Sequence, residues 1–249
     1  MKKLLMLAAL AAAACTRGND SVTLSARLAA ANGQALPTAN GAAEVASGIN
    51  VTGVRIVIRH LRLEREDDKT ETKVSEGPLL LDVSDTTDLG GKLVKLVTEN
   101  VPAGTYDKLK LDIQPVESAP TSRFQALVDR GASVLIEGWV DTSTNTFTFA
   151  SALEAEVEYE ARFQLSGSTS NITLNIDASK WFTAADGSRL SPLDPDPKAR
   201  DAILANIRGS FSAFEDDNED GEEDEARDGG TDDGEHEDAG DDHGEHDGG

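Results

Sequence analysis

Apolar residues recur at every second position along most of this chain, and that period constrains the fold more than any other feature. Val22, Leu24, Ala26 and Leu28 alternate with polar neighbours. Val54, Ile56 and Ile58 do so beside Arg55 and Arg59, as do Leu109, Leu111 and Ile113 and, near the end, Ile172, Leu174 and Ile176. Ala155, Val157, Tyr159, Ala161 and Phe163 are interleaved with Glu154, Glu156, Glu158, Glu160 and Arg162. Successive side chains of a strand point to opposite faces, so each run describes a strand with one apolar side. Further short strands are expected at 79–83, 93–97, 124–128 and 134–140. Many short one-faced strands predict a mostly β protein, an antiparallel β-sandwich of transthyretin- or immunoglobulin-like kind. After His60 the apolar phase shifts to Leu61 and Leu63, as a β-bulge would make it. The Ala/Gly/Asn-rich stretch Gly33–Gly48 and the charged stretch Glu64–Gly77 read as loops.

One short helix breaks the pattern. Asp196 is a natural N-cap with Pro197 at the first helical position. Ala199, Ile203 and Ile207 follow at spacing four, and Gly209 is a natural stop. The helix is predicted over 197–208.

Charge divides the chain. The formal net charge is −23, yet residues 215–249 hold 19 acids against one base, Arg227. The expectation is a nearly balanced body, 22–214, followed by a disordered, low-complexity acidic tail, 215–249. A nucleic-acid partner is excluded, because phosphate neutralisation needs clustered Lys and Arg. A single Cys excludes a disulfide framework.

Residues 1–14 have the form of a signal peptide. Lys2 and Lys3 precede the apolar run Leu4–Ala14, which is too short to span a bilayer. The run ends Ala12-Ala13-Ala14-Cys15, which resembles a bacterial lipobox, with Ala12 where that family usually has Leu. The resemblance implies acylation of Cys15, an anchor linker over 15–21 and a membrane contact through the lipid. Thr16, rather than Asp, after the Cys favours an outer-membrane or cell-surface position.

The segment Val101-Pro102-Ala103-Gly104-Thr105-Tyr106-Asp107-Lys108-Leu109-Lys110-Leu111 resembles a family of bacterial lipoproteins that carry a domain of unknown function, and Val54–Leu63 is similar to another of its strands. The stretch from Trp181-Phe182 to Gly221 also looks like a C-terminal module of such lipoproteins. These resemblances imply an extracytoplasmic transthyretin- or immunoglobulin-like sandwich and bring no biochemical role.

Candidate chemistry is concentrated at the acidic end. Asp216-Asp217-Asn218-Glu219-Asp220-Gly221 fits the first half of a calcium loop, with Asp216, Asn218 and Asp220 at alternate positions, the carbonyl of Glu222 next and Asp224 ninth. Arg227 stands where an EF-hand needs a bidentate Glu, so a looser Ca²⁺ loop is expected, with Glu223 or Glu225 as further carboxylates. His236, His243 and His246 among acids suit Zn²⁺ or Ni²⁺. Glu154, Glu156, Glu158 and Glu160 share one strand face, either a solvated face that resists aggregation or a surface for cations or a basic partner, with Arg55, Arg59 and Arg162 as pairing candidates. Trp139, Trp181, Tyr106 and Tyr159 are candidates for a sugar-stacking platform or for core.

No nucleophile elbow, zinc-protease, P-loop or dinucleotide motif is present. The expected function is therefore non-catalytic: an acyl-anchored surface or periplasmic binding or structural module that contacts an envelope protein or glycan. A metal-buffering lipoprotein working through its His/Asp tail, and a carbohydrate-active hydrolytic domain, are the alternatives.

Overall fold

The computed structural model describes residues 19–30, 33–75, 77–84, 86–165 and 169–224. Cys15, His236, His243 and His246 lie outside the described residues.

Alternation becomes strand in two stacked sheets. The smaller has the order β13 (Phe211–Glu215), β12 (Thr169–Asp177), β1 (Asn19–Ala29), β7 (Val94–Pro102). The larger is organised on β4 (Ile49–Arg65), whose 17 residues are long enough to serve different neighbours along their length. One edge of β4 pairs first with β9 (Val134–Val140) and then with β8 (Gly104–Ile113). The other edge pairs in turn with β3 (Ala42–Ala46), β6 (Leu79–Val83) and β5 (Glu71–Ser75). Strands β2 (Thr38–Ala39), β10 (Thr146–Ser151) and β11 (Ala155–Leu165) extend the sheet beside β3, β9 and β8. The register of β4 against β8 shifts between Ile58 and His60, where the sequence changes phase. This bulge keeps Ile58, Leu61 and Leu63 all inward, each buried.

The core lies between the sheets. Val22, Leu24, Ala26 and Leu28 of β1 share it with Ile56, Ile58, Leu61 and Leu63 of β4 and Ile172, Leu174 and Ile176 of β12. Each buried Val, Leu or Ile among them contributes about 1.5–3 kcal/mol by leaving water. A second, smaller core covers the back of β4, where Val57 and Leu135 meet Phe124, Leu127, Val116 and Ala132.

The helix forms over Pro197–Arg208 as expected, with the Asp196 side chain accepting from Lys198 N at 3.0 Å and Gly209 at the C-cap. Call it α3, after two four-residue turns, α1 (Thr86–Leu89) and α2 (Gln125–Val128). Ile203 and Ile207 pack it onto the core, while Asn206 donates to the carbonyls of Lys180, Trp181 and Thr183. One side chain thus satisfies the end of a 3-10 turn, Ala178–Lys180, and the Trp-Phe segment after it. Trp181 is fully buried and donates from Nε1 to Ser210 Oγ at 2.9 Å.

Several expectations are corrected. Strands β1 and β12 run parallel, so the sandwich is not wholly antiparallel. Residues 124–128 are helical rather than extended, because Phe124 and Leu127, three apart, point into the same small core. The stretch 33–48 contains β2 and β3. Its apolar positions are mainly small alanines, but Asn40-Gly41, both at positive φ, is the hairpin signal that marks them. The stretch 64–77 contains β5, which packs through Val74. At the other end β13 runs to Glu215, and residues 216–224 fold onto the small sheet, so the ordered body extends past Phe214.

The Val-Pro-Ala-Gly-x-Tyr motif has a structural reason. Pro102 closes β7, and Gly104, at φ +154°, turns the chain into β8. Tyr106 is fully buried, donates to the Pro102 carbonyl at 2.6 Å and lies under the Arg65 guanidinium, 5.3 Å from the ring centre. A Cβ on Gly104 would run into that guanidinium. Tyr106→Phe keeps the ring but takes the donor from a half-buried carbonyl, and a loss of about 1 kcal/mol in urea unfolding is expected.

Candidate functional site

The outer face of the small sheet is not open to water. Thr23, Ser25 and Arg27 of β1 and Asn171, Thr173 and Asn175 of β12 are polar by alternation, yet all six are buried. The acidic segment 216–224 lies over Arg27, Asn171 and Thr173 among them. Asp216, the first residue of the expected calcium loop, is completely buried. Its carboxylate accepts from Thr173 Oγ1 at 2.8 Å, Asp220 N at 3.0 Å and Gly221 N at 2.9 Å. Its backbone is clamped to Asn171 through Asp216 N to Asn171 O and Asn171 Nδ2 to Asp216 O.

The remaining candidates tie the loop to itself. Asn218 Oδ1 accepts from Asp220 N, Asp220 Oδ1 from Glu222 N, and Asp224 Oδ2 from Asp217 N at 2.7 Å. Gly221 sits at φ +82° with the Arg27 guanidinium directly beneath it, so a side chain there would meet Arg27. Arg27 donates from Nε to Asn175 Oδ1 at 3.1 Å and lies 5.8 Å from the centre of the Phe214 ring. Burial lowers its pKa, and attraction to Asp216, Glu222 and Asp220 opposes that shift. A cation of this chain, Arg27, thus lies beneath the loop and is attracted by its carboxylates. Among the described residues no group of three His, Cys, Asp or Glu side chains converges as a metal-ligand set.

Glu215, just before the loop, is pushed up by burial and by repulsion from Asp217 and Asp224, although the Gln164 N–H donates to it. A carboxyl whose folded pKa is raised binds protons more tightly folded than unfolded, so stability falls as pH rises from the ordinary carboxylate range through the raised value. Glu215→Gln should therefore raise the melting temperature at pH 7, with the gain shrinking below about pH 4.5, where both states carry the proton. Thermal melts at the two pH values test this.

The second candidate surface is the outer face of β5–β4–β8–β11. Glu71 and Lys73, then His60, Arg62 and Glu64, then Asp112, Lys110 and Lys108, then Glu156, Glu158 and Glu160 stand side by side across the four strands. Lys110 reaches Glu64 at 2.7 Å and Glu71 at 2.8 Å, which raises its own pKa and lowers that of Glu71. Arg62 holds Asp112 and Glu156, both at 3.1 Å. Lys108 lies 3.5 Å from Glu160. His60 Nδ1 is 2.9 Å from Asp112 Oδ2.

The glutamate row thus has partners, but not the expected ones. Arg55 pairs with Asp82 and Glu137, Arg59 donates to the Pro115 carbonyl, and Arg162 pairs with Glu66. Register explains it: β11 lies against β8, so its glutamates face lysines that the linear pattern does not bring near. Four cations meet six carboxylates here, and the surplus acids are on the rim: the Glu156 and Glu160 side chains are 55% and 80% exposed, that of Lys110 13%. Glu154 lies outside β11. The four-aromatic sugar platform is not assembled, because Trp181 and Tyr106 are wholly inside.

No family model matches this sequence, and no curated protein matches it either. Among solved structures, MbnP from Methylosinus trichosporium is similar at a TM-score of 0.44 and 15% identity, over 79% of this chain and 99% of that one.

Proposed function

We propose that this protein is an acyl-anchored, extracytoplasmic module that binds rather than catalyses, and that its contact surface is the charged face of β5, β4, β8 and β11. One observation carries the reading: a four-strand face whose inner cations are already shared, leaving Glu156, Glu158 and Glu160 as an exposed acidic margin. Such a face suits a basic segment of an envelope protein, because the margin gains partners without breaking the inner pairs. The test replaces Glu156, Glu158 and Glu160 together by Lys and compares cross-linked partners from envelope extract with those of the wild type. Loss of a partner with unchanged circular dichroism supports the reading. Capture of the same partner by both proteins overturns it.

Divalent metals enter the proposal with a condition set by Arg27. Because that guanidinium lies beneath the loop, Ca²⁺ would bind from outside, where Asn218, Asp220 and Glu222 are exposed. Zn²⁺ or Ni²⁺ would use His236, His243 and His246. Calorimetry on the full chain against one ending at Asp224 separates loop from tail.

A further inference from the structure

The topology fixes which end of the body follows Cys15. Strand β1 opens with Asn19 opposite Pro102 and Ser21 opposite Thr169. At the same end β7 turns into β8, Gly104 stands opposite Leu165, and Tyr106 opposite Arg65. The tip of the β4–β5 hairpin, with Lys69 paired to Asp107, belongs to this end, as does Arg162, whose side chain is 72% exposed. The opposite end carries the start of β4 against Val140, the turn 141–145, the Asp141–Arg189 pair at 2.6 Å, and the end of β12 leading to Trp181 and α3.

Two lengths then decide the posture. Four residues from Cys15 to Asn19 reach at most about 14 Å even when fully extended. The 17 residues of β4 make the body about 50 Å long. The far end is beyond the tether's reach of a bilayer. Every face meets anionic headgroups with like charge, since the face of β5, β4, β8 and β11 has an acidic margin and the small sheet is covered by the 216–224 loop, so lying flat brings the most like charge against the bilayer and end-on contact the least. At the near end the exposed Lys69 and Arg162 are paired with Asp107 and Glu66, and Asp67 and Asp68 are exposed beside them, so this end has no net attraction for the headgroups and its place there is set by the tether.

Resting on the acylation of Cys15 proposed above, we infer that the protein stands upright on an anionic bilayer, with the β1-start end against the headgroups and the α3 end held away from them. The 216–224 loop returns to the near end, where Asp224 N donates to the Glu215 carbonyl and Gln164 N to the Glu215 side chain. The acidic tail therefore starts beside the membrane, not at the free tip.

The test uses the full acylated chain on vesicles of phosphatidylethanolamine and phosphatidylglycerol. Cys15 is blocked by its lipid, so one introduced Cys takes a fluorophore, either Arg162→Cys at the near end or Thr144→Cys at the far end. A headgroup-attached quencher should extinguish the first probe and leave the second bright. Equal quenching of both, or the reverse order, in protein that floats with the vesicles overturns the posture while the anchor stands. Protein that fails to float, with an unmodified Cys15 by mass spectrometry, removes the anchor and the posture with it.

Discussion

Asp216→Ala should be among the most destabilising single substitutions in this protein, at about 3–5 kcal/mol. The carboxylate is fully buried and serves three donors: the Thr173 hydroxyl and the N–H groups of Asp220 and Gly221. It is also the strongest of the charges that attract Arg27, which is itself buried. Removal leaves a buried cation short of its main counter-charge and two donors, the Thr173 hydroxyl and the Gly221 N–H, without an acceptor, while Asp220 N keeps Asn218 Oδ1; each unmet buried group costs about 1–3 kcal/mol. Urea unfolding of the variant measures the loss. Arg27→Met added to Asp216→Ala should recover part of it, since the uncompensated cation goes too. A loss below about 1 kcal/mol for the single variant would show that the acidic loop is not an integral part of the body.

The second large effect is expected at Gly138. It occupies the middle of β9, opposite Val51, where β4 makes its first register shift. A Cβ at this position would collide with the Asn50 carbonyl oxygen, and the Phe147 ring is 3.0 Å away on another side. The obstacle is backbone of the central strand, so it cannot swing aside as a flexible side chain would. Gly138→Val should cost about 3 kcal/mol or more, or prevent folding, although valine is the better strand former. A melting temperature within a few degrees of wild type would contradict this account. Gly131, with nothing within 4 Å of its hypothetical Cβ, gives a control: it sits at φ +56°, so Gly131→Asn should be mild.

These sites mark where sequence reasoning stopped. The strand pattern, the phase change at His60 and the capped helix 197–208 were legible because each is a local signal: period, cap and stop. Thr23, Ser25, Arg27, Asn171, Thr173 and Asn175 were not, because alternation says only that polar residues face away from the core. It does not say that another segment covers them. Arg27, Asn171 and Thr173 are covered by the fold-back of 216–224, which for Arg27 is a contact between positions nearly two hundred residues apart. The acidic loop was visible as a calcium-like spacing, but the arginine beneath it was not, since one arginine in an alternating strand looks like any other. The partners of the glutamate row were hidden for the same reason: only the β8–β11 register sets Glu158 opposite Lys110 and Glu160 opposite Lys108. Asn40-Gly41 is a different case, a local signal lost among alanines whose weak strand preference suggested loop.

The place of β1 has a mechanical consequence. It is an interior strand, bonded along nearly its whole length to β12 on one side and β7 on the other. A pull on the segment before Asn19 acts along the strand axis, so it loads both ladders in shear. Their hydrogen bonds must then yield together rather than open one after another like a zip. A body dragged by its leading segment through flow or crowding would resist being unravelled from that end.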